Sequence, residues 1–180
     1  MERHRVSHSL PLYLYRVQYQ GSQTAFDHES GLRARDTTSF FNEDNEFCDS
    51  IIQAFTWGSI VASPYIALFS QKNHAENWLL SWGSQEHQER QLITINTCQL
   101  NEIYVFKLST LLDNLGIVLP GGASQHRNGA YLCLHQIPAE AICNIESGRA
   151  IESSKTSSSL PWISKPDLKY SRDGTPAVDA

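Results

Sequence analysis

The chain has 180 residues, 41% hydrophobic and 18% charged, with 14 Lys+Arg against 19 Asp+Glu for a formal charge of −5. That length suits one domain with a two-layer core, and the composition is that of a globular protein. Net acidity with scattered basic residues excludes a phosphate-binding footprint, so nucleic acid is not an expected partner.

The opening "MERHRVSHSL" has no apolar h-region, so it does not read as a secretory signal. No run approaches the ~20 apolar residues that span a bilayer. The default expectation is a soluble cytoplasmic protein without a membrane partner, secretion of a mature form staying open. Cys48, Cys98, Cys133 and Cys143 form no Cys-x-x-Cys pair and read as free thiols in a reducing compartment.

In chain order, residues 1–9 read as a polar, frayed tail. "LPLYLYRVQY" (Leu10 to Tyr19) predicts a strand rich in Leu and Tyr. A short helix capped by Ser22 is expected over Ser22 to Asp27. "NEDNEFCDSIIQAF" begins acidic and turns apolar at Ile51, Ile52 and Phe55, which suits a helix with acids at its N-terminal dipole. "SPYIALFS" (Ser63 to Ser70) reads as a buried strand. The following "QKNHAENWLLSW" carries Ala75, Trp78, Leu79 and Trp82 at helical spacing, with Ser70 as N-cap. "QLITINT" and "EIYVFKL" predict strands, and Ser109 caps a helix "TLLDNLG" that Gly116 ends. After a glycine-bearing loop, "GAYLCLHQIP" predicts a strand, and one more is expected near Ala141 to Ile145. From 147 the chain is rich in Ser, Pro and charge. It reads as a tail over 147–180, with Pro161-Trp162-Ile163 as a docking point. The domain is thus 10–146, and the element order argues for an α+β class rather than alternating βαβ units.

Arg16 stands out. It alternates onto the same strand face as Leu12 and Leu14, and a guanidinium is not buried unpaired. It needs a carboxylate, a backbone cluster or an anionic ligand such as phosphate. Gly121-Gly122 lacks the Gly-Lys-Ser/Thr of a phosphate loop. The seven histidines, at 4, 8, 28, 74, 87, 126 and 135, show no metal-ligand spacing, so no metal is expected. No Gly-x-Ser-x-Gly elbow supports a serine triad.

Three segments together resemble the ADP-ribosyltransferase toxins of the cholera and heat-labile enterotoxin type, and more closely a related fungal domain family often labelled enterotoxin-like. They are "LYRVQYQGSQTAFDHESGLRARD" (Leu14 to Asp36), "SPYIALFSQKNHAENW" and "GAYLCLHQIPAEAI", in the family's order across Leu12 to Glu146. The resemblance implies an ADP-ribosyltransferase-like fold with split mixed or antiparallel sheets and flanking helices around an NAD-type cleft. It gives Arg16 the role of holding the NAD diphosphate. The family's Ser-Thr-Ser positions fall on Ala67, Leu68 and Phe69. Its two strand-opening glutamates fall on Asn128 and Ala130. Alanine cannot accept a ribose hydroxyl or offset the positive charge of an oxocarbenium-like transition state. By analogy with losing one preorganised electrostatic group, the rate should fall by about 10²–10³.

Three readings follow from the resemblance. In the first, the fold has lost ADP-ribosyl transfer and its cleft holds a nucleotide or other ligand. The second is an active mono-ADP-ribosyltransferase or NAD glycohydrolase with a displaced carboxylate, for which Asp27 and Glu29 are candidates, whereas Glu140 lies past the Ile137-Pro138 turn, where a one-residue shift would not bring it to the strand start. The third is a cleft converted to small-molecule chemistry such as a cyclisation or rearrangement in fungal secondary metabolism, with Trp57, Tyr65, Phe69 and Tyr131 facing an apolar substrate. Whether the protein is an enzyme, whether NAD is its cofactor and what its oligomeric state is stay open in the sequence.

Overall fold

The computed structural model describes residues 1–6, 10–56, 59–81 and 89–158, so the expectations at Trp57, Trp82 and Pro161-Trp162-Ile163 lie outside the described residues. Along the chain run β1 (Tyr13–Tyr19), β2 (Thr24–Asp27), β3 (Gly31–Ala34), α1 (Asp44–Ala54), β4 (Tyr65–Phe69) and α2 (Lys72–Ser81). Then come β5 (Arg90–Asn96), β6 (Val105–Lys107), α3 (Leu108–Leu115), β7 (Ala130–Leu134), β8 (Gln136–Ile137), β9 (Ile142–Ser147) and α4 (Gly148–Ser158).

The strands form a six-stranded sheet ordered β6-β7-β4-β1-β5-β9 and a three-stranded sheet ordered β2-β3-β8. Every pairing is antiparallel, so the class is α+β with antiparallel sheets and flanking helices. The large sheet is apolar on both faces, which is why "SPYIALFS" and "QLITINT" read as near-continuous apolar runs. On one side Val17, Tyr65, Phe69, Leu92 and Leu132 pack against Phe47, Ile51, Leu79 and Leu111 of the helices. On the other, Leu14, Ile66, Leu68, Ile93 and Tyr131 pack against Leu32, Ala34 and Ile137 of the small sheet. Ile66, Leu68 and Ile93 are fully buried, each stabilising the fold by about 1.5–3 kcal/mol.

Several local expectations are corrected. Residues 24–27 are strand, not helix. Thr24 and Phe26 alternate with exposed positions, and the Asp27 carboxylate accepts bonds from the Glu29 and Ser30 amides and the Ser30 hydroxyl, closing a hairpin into β3. Ser109 lies inside α3. The helix starts straight from β6 with Lys107 at the N-cap position, and it ends at Gly116 as expected. The stretch read as a tail after Ser147 begins with α4, which buries Ile151 and ties Lys155 to Glu76 and Asn77 of α2, each at 2.9 Å. A weak apolar pattern in a Ser-rich segment hid this helix, because one docked isoleucine is enough to anchor it. The first residues are also docked. Glu2–His4 make a 3₁₀ turn, His4 stacks on Phe47, and the Val6 amide donates to the Val105 carbonyl at 2.8 Å. β1 starts at Tyr13 rather than Leu10, with Leu12 exposed.

The joint between the two sheets is tight at Gly31. Its φ is +86°, and a Cβ there would lie 2.2 Å from the Ile137 carbonyl oxygen. Gly31→Ala should cost about 3–5 kcal/mol from backbone strain plus overpacking. Gly21→Ala, with φ +85° but open space around it, should cost about 1–2 kcal/mol. Urea denaturation of both variants checks the order; equal losses would contradict the close approach.

Asp36, after β3, accepts from the Thr38 amide and hydroxyl and the Ser39 amide. These bonds, the Ser39 interaction foremost, hold its carboxyl at about 2. Its folded pKa lies below the unfolded one, so its stabilisation is present above about pH 4 and is lost as pH falls through about 2. Asp36→Asn should flatten the decline in thermal midpoint across that window. An unchanged slope would show that these bonds do not couple to folding.

Candidate functional site

β1 and β4 are neighbours in the large sheet, yet they pair at one position, Tyr15 with Phe69. By contrast β1 pairs β5 along seven residues and β4 pairs β7 along five. Past Tyr15 the ladder between β1 and β4 stops, and the Arg16 guanidinium takes its place. Nη1 donates to the Ala67 carbonyl of β4 at 3.0 Å. Nη2 donates to the hydroxyls of Ser22, in the turn after β1, at 2.6 Å and of Thr24, which opens β2 of the small sheet, at 3.0 Å. Arg16 therefore bridges both sheets at the point where they part.

None of these partners is charged, and no ion pair to Arg16 occurs among the described residues. Its Nε is buried with no acceptor. Burial pulls the guanidinium down to about 10, with Tyr19 opposing the shift. It thus stays protonated at neutral pH. A half-buried cation held, among the described residues, by neutral dipoles keeps its net charge for whatever enters beside it.

What lies beside it is a cavity of about 310 Å³ between the parted strands, α1 and α2. The alternation of β4 and β7 decides its wall. Phe69 faces Ala130 and Ala67 faces Leu132 across the ladder, on the helix side of the sheet, and all four line the cavity with Tyr65. Arg16, Tyr65, Phe69, Ala67 and Ala130 are thus brought together. Tyr131 is not. It pairs with Leu68 and points to the other face, buried against the small sheet, so the expectation that it lines the cleft is corrected by strand parity. Asn128 is exposed in the turn before β7 and is not among the lining residues. Trp57 lies outside the described residues.

Other lining groups were not legible as site residues. Ser22 and Thr24 were hidden by the helix reading, although Thr-x-Phe before a turn-forming Asp was a strand signal. Gln23 clips the rim: its side chain donates to the Ser59 carbonyl at 3.3 Å and accepts from the Ser63 amide at 3.0 Å. Trp78, read as core, is only half-buried and faces the cavity with Phe55.

The chemistry available is narrow. Among the described lining residues there is no Asp, Glu, His, Lys or Cys. Tyr65 is no base, because burial pushes its phenol up. Ser50 donates to the Phe47 carbonyl at 2.7 Å, so at 2.6 Å it accepts the Tyr65 proton. The acids considered as replacements are elsewhere. Asp27 is engaged in its own turn, and Glu29 and Glu140 are not in the cavity wall.

Residues 9–149 match the family model described as Domain of unknown function (DUF7587), and the chain belongs to that family. No curated protein matches significantly. Among solved structures, one named EcPltA aligns at 16% identity over 76% of this chain and 75% of that chain, with a TM-score of 0.49. A likeness of that size carries no weight for the chemistry. No helix among the described residues is long and apolar enough to cross a membrane.

Thr24 is buried and accepts from a charged donor, so Thr24→Val should cost about 1.5–3 kcal/mol. For a domain of this size that lowers the thermal midpoint by about 3–12 °C. Scanning calorimetry checks it, and a loss under about 0.5 kcal/mol would mean that the guanidinium does not rely on this cage.

Proposed function

We propose that this DUF7587 protein has an ADP-ribosyltransferase-type fold kept for holding a ligand through an anionic group at Arg16, and that it no longer transfers ADP-ribose. One observation carries the reading. The cavity is lined by a half-buried cation with no ion pair among the described residues, while Ala67 and Ala130 present methyl groups where the resemblance places a serine and the catalytic glutamate. Cleaving a nicotinamide–ribose bond builds positive charge on the ribose, and the group that stabilises it must be preorganised beside that carbon. Here the lining offers hydroxyls, amides and aromatic faces around one more positive charge. An active enzyme with a displaced carboxylate would need an acid at this wall, and Asp27, Glu29 and Glu140 lie elsewhere. The ligand on this reading is a nucleotide or another small anion, with Arg16, Ser22 and Thr24 gathered at its charged end.

The test is nicotinamide release from NAD by the wild-type chain and by the double variant Ala67→Ser, Ala130→Glu. The wild type should show none above the uncatalysed background. Release that appears only in the double variant supports a relic of the transferase site. Saturable turnover by the wild type overturns the loss of activity. A calorimetric titration showing that no nucleotide or small anion binds in an Arg16-dependent way overturns the binding role.

A further inference from the structure

The size and lining of the cavity restrict the ligand beyond its charge. At about 30 Å³ of liquid volume per water, about 310 Å³ holds on the order of ten water-sized units. That is room for a ring system with a short arm. Of the five N–H donors of a guanidinium, three are used on Ala67, Ser22 and Thr24, which leaves Nε and one hydrogen of Nη1. The rest of the wall mixes an apolar portion, with Phe55, Tyr65, Phe69 and Trp78, and polar Gln23, Thr56, Ser59 and Ser63. The methyl groups at Ala67 and Ala130 widen this apolar portion and remove the acceptors that a ribose would need.

We infer that the cavity binds an aromatic monoanion, a ring carrying one carboxylate on a short arm, with the carboxylate at Arg16 and the ring between Phe69 and Trp78. This rests on the reading of Arg16 as an anion site and names the class of ligand. A single negative charge neutralises the single cation, and a flat ring can pack against the aromatic faces of Phe55, Tyr65, Phe69 and Trp78. A neutral analogue leaves the guanidinium desolvated without compensation. A second negative charge finds no second cation among the described lining residues.

Calorimetric titration of the full chain with phenylacetate, 4-hydroxyphenylacetate and indole-3-acetate, beside the matched neutral amides and NAD, tests this. At least one acid should bind at one site per chain, at least about tenfold tighter than its amide, as expected for a bond to a charged donor. Arg16→Gln should abolish the preference for acid over amide. Should that variant fail to fold, Ala130→Leu serves instead. Its side chain projects into the cavity and should weaken the acid at least about tenfold, with the near-ultraviolet circular dichroism unchanged outside the cavity tryptophan. Equal binding of acid and amide overturns the inference, as does acid binding indifferent to Ala130→Leu. Arg16-dependent binding of NAD without any of the acids overturns the ligand class and leaves the anion site standing. Failure of every probe overturns both.

Discussion

The Arg16 guanidinium is the element around which this fold is arranged. A charged group inside a sheet has to be given hydrogen-bond acceptors, and here they come from three places distant in sequence: β4, the turn after β1, and β2. Meeting that demand means interrupting the β1–β4 ladder after one residue pair. The interruption opens the cavity, and the hydroxyls of Ser22 and Thr24 then tie the small sheet to the large one.

The two apolar faces of the large sheet have different tasks. The side facing the small sheet is filled to closure, with Tyr131, Cys133, Leu68 and Ile66 buried against Leu32 and Ile137. The helix side is left open at the cavity, which Ala67 and Ala130 line together with Phe55 and Trp78. Small residues beside larger aromatic ones leave volume, and Arg16 lines that volume. Charge and cavity are therefore two consequences of the same local arrangement of β1, β4 and β7.

Much of this was legible residue by residue. The apolar runs located β4, β5 and β7, the helical spacing of Ala75 and Leu79 located α2, and Gly116 ended α3. Arg16 was visible as a charge on a strand of leucines, with three kinds of partner open to it. The structure assigns it a backbone carbonyl and two hydroxyls. The hairpin at Thr24–Asp27 was missed because a short polar segment has weak local preference and is held by a turn carboxylate and by pairing with β3. α4 was missed because a Ser-rich helix is stabilised by docking rather than by propensity.

The amino-acid sequence by itself determined the α+β class, the presence of a cation in the first strand, and methyl groups at positions 67 and 130. These are local properties, set by side-chain chemistry and by the period of the apolar pattern. Tertiary structure decided that Arg16 has no carboxylate partner among the described residues and that Tyr131 turns away while Phe69 turns in. It also decided that the acids at 27, 29 and 140 stay out of the cavity wall. Those outcomes depend on strand register and on which hairpin closes over which face, and such long-range pairings leave no mark on the spacing of residues within one segment.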